Sequence, residues 1–241
     1  MANCAADLSP TRCYRPNMHS IVIGATGGIG RAIADALEAR GDSVVRLSRR
    51  SDPPLDLTDE GSIAAAASAL SIGCPADLLL VATGMLHTPV AGPEKSWRQL
   101  DAATLARSFA VNTIGPALVA RHFLPLLAPA AMLAFLSARV GSISDNRLGG
   151  WYGYRASKAA LNQFVRTLAI ELARTRPATI CVALHPGTVD TALSGPFQRN
   201  VAPGKLFSPA QSAGYLLDVL VALTPADSGA LIDWAGERIA P

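Results

Sequence analysis

The chain has 241 residues, half of them hydrophobic, which is enough for one large α/β domain with a sizeable buried core. Its 21 Lys and Arg residues stand against 18 Asp and Glu, and no basic block exceeds the pair Arg49-Arg50, so neither a nucleic-acid partner nor a membrane surface is expected from charge. No window reaches the roughly 18 consecutive apolar residues of a membrane span, and Cys4, Cys13, Cys74 and Cys181 lack metal-ligand spacing, which argues against a zinc site or disulfide framework and suits a reducing cytoplasm.

Residues 1–17 are polar and interrupted by proline; they read as a disordered N-terminal extension, with Met18 as an alternative start, and residues 18–241 read as a single domain. From Ser20 onward, short apolar runs alternate with longer helix-compatible stretches, the pattern of a parallel sheet covered on both faces. Strands are predicted at 20–23, 43–47, 77–81, 132–137, 179–184 and 230–233. Helices are predicted at 30–40, 62–70, 102–127 with a bend near Gly115-Pro116, 152–174 and 209–223. Right-handed crossovers between parallel strands then give a doubly wound α/β sheet. The stretch 187–208, which holds Gly195, Pro196, Pro203 and Gly204, reads as a lid or binding loop, with surface disorder as the alternative.

The first strand runs directly into Gly24-Ala25-Thr26-Gly27-Gly28-Ile29-Gly30 and then into a helix with apolar Ile33, Ala34 and Leu37. Missing side chains let a backbone approach a pyrophosphate, and the free amides and positive dipole end of the helix attract phosphate charge. In this position the cluster reads as a dinucleotide-binding turn rather than a plain tight turn. After the second strand, Arg46-Leu47-Ser48-Arg49-Arg50 offers no carboxylate for ribose hydroxyls. A guanidinium binds phosphate in bidentate fashion, so Arg49, helped by Ser48, favours a 2′-phosphate and hence NADP(H), with NAD(H) as the alternative.

Further along, Tyr154 and Lys158 lie one turn apart on the same face of a helix. An ammonium beside a phenol is expected to stabilise the phenolate and pull its pKa down from about 10 toward the working range. Such a phenol can supply the proton that accompanies hydride transfer to a carbonyl. Tyr152 lies off that face and reads as packing or substrate contact. His87 and His185 read as hydrogen-bonded loop residues, and the four histidines lack the paired spacing of a metal site.

The spacing Gly24, Gly28, Gly30, together with Val111-Asn112-Thr113, Tyr154-Arg155-Ala156-Ser157-Lys158 and His185-Pro186-Gly187-Thr188, resembles the short-chain dehydrogenase/reductase family over nearly the whole chain after Ser20. The resemblance implies a Rossmann fold with a mainly parallel seven-stranded sheet. It implies that Gly24, Thr26, Gly28, Ile29 and Gly30 line the phosphate cradle, that Asp56 and Leu57 meet the adenine edge, and that Ala82 and Gly84 border the cofactor. Lys158 would grip the nicotinamide ribose beside Tyr154, and Asn112 would distort its helix and hold a water linking the lysine to solvent. Pro186, Gly187, Val189 and Thr191 would adjoin the nicotinamide carboxamide.

Two departures stand out. Val81-Ala82-Thr83-Gly84 keeps only the glycine of the family's fourth-strand signature, and the family's catalytic serine aligns with Ala138. Ser142 and Ser137 are the two alternatives for the missing hydroxyl, and either also reads as an ordinary turn serine. The stretches 138–143 and 149–162, with Ser228-Gly229 and Trp234-Ala235-Gly236-Glu237, are similar to the C-factor and carbonyl reductase branch. That likeness implies a small-molecule carbonyl or alcohol substrate, and the long apolar faces of the helices at 102–127 and 152–174, which in the family pack between subunits, imply a homo-oligomer, dimer or tetramer. A signalling or nucleotide-binding regulatory protein with little turnover is the alternative. Substrate choice is expected to rest on the loops 85–93 and 189–206.

Overall fold

The computed structural model describes residues 17–70, 74–87 and 92–241; the expectations for residues 1–16, including Cys4 and Cys13, and for residues 88–91 lie outside them. In chain order the elements are β1 (His19–Ile23), α1 (Gly28–Ala39), β2 (Ser43–Leu47), α2 (Glu60–Ala69), β3 (Ala76–Val81), α3 (Ala102–Phe109), α4 (Gly115–Phe123) and β4 (Leu127–Leu136). There follow α5 (Tyr152–Thr175), β5 (Ile180–His185), β6 (Thr188–Val189), β7 (Leu206–Phe207), α6 (Pro209–Ala222), β8 (Leu231–Asp233) and β9 (Arg238–Ile239).

Seven strands form one sheet in the order β2-β1-β3-β4-β5-β8-β9, parallel throughout except for the antiparallel pair β8 and β9. This is the expected doubly wound Rossmann fold. Chain direction across the sheet reverses at β1, which lies between β2 and β3, so a crevice opens beyond the carboxyl ends of β1 and β3. Ile23 is in register with both Leu47 and Val81, which brings the segments leaving β1, β2 and β3 to one level.

Strand alternation divides the core between the two faces of the sheet. Ile21, Ile23, Leu79, Val81, Leu133 and Phe135 pack with Phe123, Val165 and Leu172 on one side. Val22, Leu78, Leu80, Ala134, Val182 and Leu184 pack with Ile33, Leu37, Leu216 and Leu220 on the other. Burial on both faces is why these strands read as continuous apolar runs.

Two expectations need correction. The predicted helix over 102–127 is divided: α3 gives way to a π-helical turn at Ala110–Ile114, then α4, then a short 3-10 turn at Leu124–Leu126, so the irregularity precedes Gly115-Pro116. From Leu127 the chain is already extended, and β4 begins five residues before the predicted Met132. Short apolar runs carry no period that separates helix from strand, and Pro129 is accommodated where the pairing of β3 with β4 shifts register between Ala76 and Leu78. The stretch 187–208 carries short elements of its own, with β6 paired in parallel to β7 and a 3-10 helix at Gly195–Asn200 between them. Among the described residues no helix is long and apolar enough to cross a membrane.

Candidate active site

The glycine turn is shaped by close approach. Gly24 adopts φ +88°, in the left-handed region that disfavours side chains, and a methyl group added there would lie 2.8 Å from the Ala82 carbonyl oxygen. A methyl group on Gly30 would lie 2.4 Å from the Gly24 carbonyl oxygen, and one on Gly28 would lie 2.6 Å from Thr191 Cγ2. These contacts bring β1, β3 and the start of the 187–208 segment together around the N-terminus of α1. Gly27 caps that helix in an extended conformation without a side-chain hydrogen bond. The first-turn amides, including those of Gly28, Ile29 and Gly30, therefore have no side-chain acceptor at the cap and face the crevice that Thr26 borders. A narrow, amide-lined cradle that a single Cβ would fill suits a pyrophosphate.

At the end of β2, the cations separate into two kinds. Arg46 is held by Asp35 at 2.6 Å and by Glu38 at 2.7 Å, both on α1. Arg49 is exposed and makes no ion pair with any described residue. Its backbone is fixed by the buried Ser48, whose hydroxyl accepts from the Arg50 amide at 3.0 Å and whose carbonyl accepts from Leu55 N at 2.9 Å. The Asp56 carboxylate accepts from Thr58 N at 2.8 Å and Thr58 Oγ1 at 2.7 Å, bonds that hold its pKa below the usual carboxylate range, with Arg49 and Arg107 adding to the effect. Leu57 is buried beside it, against Gly115.

The π-helical turn is centred on a buried amide. Asn112 is fully buried, at 0 % exposure, and its side chain reproduces the pairing of a strand neighbour: Oδ1 accepts from Met85 N at 2.8 Å while Nδ2 donates to Met85 O at 2.8 Å. The same Nδ2 donates to Ser157 Oγ at 3.0 Å, and Ser157 Oγ donates to Tyr154 O at 2.9 Å. Thr113 Oγ1 donates to Ser157 O at 2.7 Å. The segment after β3 is thereby tied to the first turns of α5. A methyl group on Gly84 would lie 3.6 Å from Lys158 Nζ and 3.7 Å from Asn112 Oδ1, so the backbone after β3, Asn112 and Lys158 converge.

Tyr154 and Lys158 are buried at 9 % and 2 % exposure, with Lys158 Nζ 5.9 Å from the centroid of the Tyr154 ring. Nζ donates to the carbonyl of Leu136, the last residue of β4, at 2.8 Å. The electrostatics differ from the sequence-based expectation. Burial disfavours both charged forms: the Tyr154 phenol is pushed up to about 12 and the Lys158 ammonium down to about 7. The phenol is thus held protonated in the ligand-free chain, and its pKa is not drawn toward the neutral pH range.

The two alternative serines are both engaged. Ser137 Oγ donates to Asn162 Oδ1 at 2.6 Å, and Ser142 Oγ accepts from Asp145 N at 3.1 Å. Ala138, at 9 % exposure, has only a methyl group to present. His185 corrects another expectation, because it ends β5 rather than lying in a loop, and its buried Nδ1 has no hydrogen-bond partner among the described residues. Burial, reinforced by Arg139, lowers its pKa to about 4. Beyond it, Pro186 O accepts from Ser212 Oγ at 2.9 Å, Gly187 turns the chain beneath the Phe207 ring, Val189 O accepts from Ser194 Oγ, and Thr191 N donates to Ser194 Oγ at 3.3 Å.

Glu94 was not legible as part of this site. Its buried carboxylate accepts from Gly153 N at 3.2 Å, and its carbonyl accepts from Trp151 N at 2.5 Å. It caps α5, whose own N-cap residue, Trp151, makes no side-chain capping bond. No local pattern links residues 59 positions apart; the absence of a Ser, Thr, Asp or Asn before Tyr152 is the only signal that a cap must come from elsewhere.

Comparison with known proteins bears on the family and the fold. Residues 19–202 match the family described as short chain dehydrogenase. The chain is 36% identical over 168 residues to the C-signal protein of Myxococcus xanthus, covering 68% of this chain and 92% of that protein. It is 31% identical over 223 residues to 1-hydroxy-2-glutathionyl-2-methyl-3-butene dehydrogenase of Rhodococcus sp. (strain AD45), covering 87% of this chain and 93% of the relative. Among solved structures, NADPH-bound carbonyl reductase from chicken fatty liver superimposes with a TM-score of 0.81 at 28% identity, covering 94% of this chain and 100% of that one. A short-chain dehydrogenase/reductase from Burkholderia multivorans with bound NADP gives 0.79 at 27% identity, with the same coverage.

Proposed function

As the chain belongs to the short-chain dehydrogenase family, and is therefore a short-chain oxidoreductase, we propose that it is an NADP-dependent carbonyl reductase with Tyr154 as the proton donor. The observation that carries this reading is the convergence of Lys158 Nζ, Asn112 and the Gly84 backbone one helical turn from Tyr154, at the inner end of the glycine-lined crevice. The amides of Gly28, Ile29 and Gly30, with Gly24 and Thr26, would hold the pyrophosphate. Arg49, supported by Ser48, would bind the 2′-phosphate. Asp56 and Leu57 would border the adenine, and Ala82, Gly84, Pro186, Gly187, Val189 and Thr191 the nicotinamide half. When bound, the nicotinamide supplies the hydride that reduces a carbonyl carbon, or accepts one in the reverse direction.

The protein's own share is proton delivery. A phenol raised to about 12 stays protonated through the neutral range, so Tyr154 Oη can donate as negative charge develops on the substrate oxygen. Lys158, 5.9 Å from the ring centroid, favours the resulting phenolate whenever it carries charge. Asn112 fixes the segment after β3 against α5. With Ser137 Oγ donating its proton to Asn162 and Ala138 without a hydroxyl, Tyr154 carries the principal hydrogen bond to the substrate oxygen. The buried Tyr154, Lys158 and Asn112 disfavour a regulatory protein without turnover.

The test is calorimetric NADPH binding followed by NADPH consumption across aldehydes, ketones and quinones, in wild type and Tyr154→Phe. Wild type is expected to bind and to oxidise NADPH with at least one carbonyl class, and the variant to bind equally well and turn over about a hundredfold more slowly. Binding without any carbonyl-dependent oxidation over the variant would overturn the reading.

A further inference from the structure

Four aromatic side chains from three separate segments form a file that begins at Tyr154. The Trp151 ring meets the Tyr154 ring edge-on with centroids 6.3 Å apart, Phe197 meets Trp151 at 5.2 Å, and His87 meets Phe197 at 5.8 Å. Trp151 precedes α5, His87 follows β3, and Phe197 sits on the 3-10 helix between β6 and β7. Trp151 and Phe197 are only half-buried.

The backbone at Trp151 is one that bulky residues rarely adopt, with φ 54° and ψ 44° in the left-handed region. It is kept there by its amide donating to the Glu94 carbonyl at 2.5 Å, while the Glu94 carboxylate binds Gly153 N two residues later. The Phe197 segment is equally constrained: Gln198 Nε2 donates to Asp190 Oδ1 and to Ser194 Oγ, both at 2.9 Å, and Ser194 Oγ donates to Val189 O. Trp151 is thus held by a backbone hydrogen bond beside the group that meets the substrate oxygen, and Phe197, on a segment braced by the side chains of Gln198 and Ser194, packs against the Trp151 ring. Aromatic faces and edges favour a flat π-surface over a flexible chain of equal size.

We propose that Trp151 and Phe197 are specificity-determining residues that select an aryl or conjugated carbonyl substrate, packing its ring while its oxygen meets Tyr154. The inference rests on the carbonyl reductase reading and deepens it.

The test compares NADPH-dependent reduction of 2-naphthaldehyde and hexanal by wild type, Trp151→Gly, Trp151→Tyr and Phe197→Ala. Trp151→Gly removes the ring and leaves a residue at ease in the left-handed region. The ratio of kcat/KM for the aryl over the aliphatic aldehyde is expected to fall about tenfold or more in Trp151→Gly and Phe197→Ala, and to be largely restored in Trp151→Tyr. A merely structural role lowers both substrates together and leaves the ratio alone; that result, with turnover intact, overturns this inference and spares the reductase reading. No NADPH oxidation with either aldehyde or with any other carbonyl overturns both.

Discussion

Removing Arg49 tests cofactor choice at one atom group. In Arg49→Ala the guanidinium is lost from a site where it has no ion-pair partner among the described residues, so no carboxylate is left stranded and the native fold gives up little. Phosphate binding by Arg49 likewise breaks no existing pair. A charge-assisted hydrogen bond is worth about 1.5–3 kcal/mol, and an exposed site with salt screening takes the lower part of that range, about 1.5–2.5 kcal/mol. Affinity for NADPH should therefore fall about 10- to 70-fold. NADH, which lacks the 2′-phosphate, is the internal control and should change by less than about threefold. Dissociation constants for both cofactors, from fluorescence titration at low and at physiological ionic strength, give the comparison, and added salt should shrink the NADPH difference. Equal weakening of NADPH and NADH, or no weakening of either, would refute the reasoning.

Asn112→Leu removes three hydrogen bonds, the one to Ser157 buried and the two to Met85 part-buried, so unfolding in denaturant should show a loss of about 2–4 kcal/mol. An unchanged midpoint would contradict the pairing described. Burial lowers Lys158 from 10.5 to about 7, so in the free chain its charge is present below neutrality and lost above it; kcat/KM for NADPH should bend downward as pH rises through about 7, and Lys158→Met should abolish the bend. A bend only near the ordinary lysine range would show that the ammonium is not desolvated. Gly30→Ala places a methyl group 2.4 Å from the Gly24 carbonyl oxygen, and calorimetry should show NADPH binding reduced beyond detection while circular dichroism keeps the helical signal. Ser142→Ala should alter kcat by less than about threefold, because Tyr154 supplies the principal bond to the substrate oxygen; a larger loss would assign the Ser142 proton a share in that bond.

Much of this was legible because it is local. Strand and helix patterns, the glycine turn and the pairing of Tyr154 with Lys158 depend on residues within a few positions of one another, and periods of 2 and 3.6 record them directly. Asn112 was recognisable as an amide out of place within a helix, but its bonds to Met85 join residues 27 positions apart, which no periodicity encodes. Glu94 was missed for the same reason. The start of β4 was misread because apolar residues continue unbroken from α4, and β6, β7 and β9 are each two residues long, too short for alternation to register. Arg46 and Arg49 look alike in sequence; only the position of Asp35 and Glu38 on the neighbouring helix separates the paired cation from the unpaired one. The phenol's pKa was misjudged because adjacency on a helix reports the nearby charge and not the desolvation of both groups.

The central claim is that this chain moves a hydride from NADPH to a carbonyl carbon with Tyr154 supplying the proton. The most direct measurement follows deuterium from NADPH labelled at the nicotinamide C4 into the alcohol formed from an aryl aldehyde, by mass spectrometry, in wild type and Tyr154→Phe. The account predicts label on the carbinol carbon of the wild-type product and little labelled alcohol with the variant. Cofactor binding without transfer of label, or equal transfer by both proteins, would contradict it.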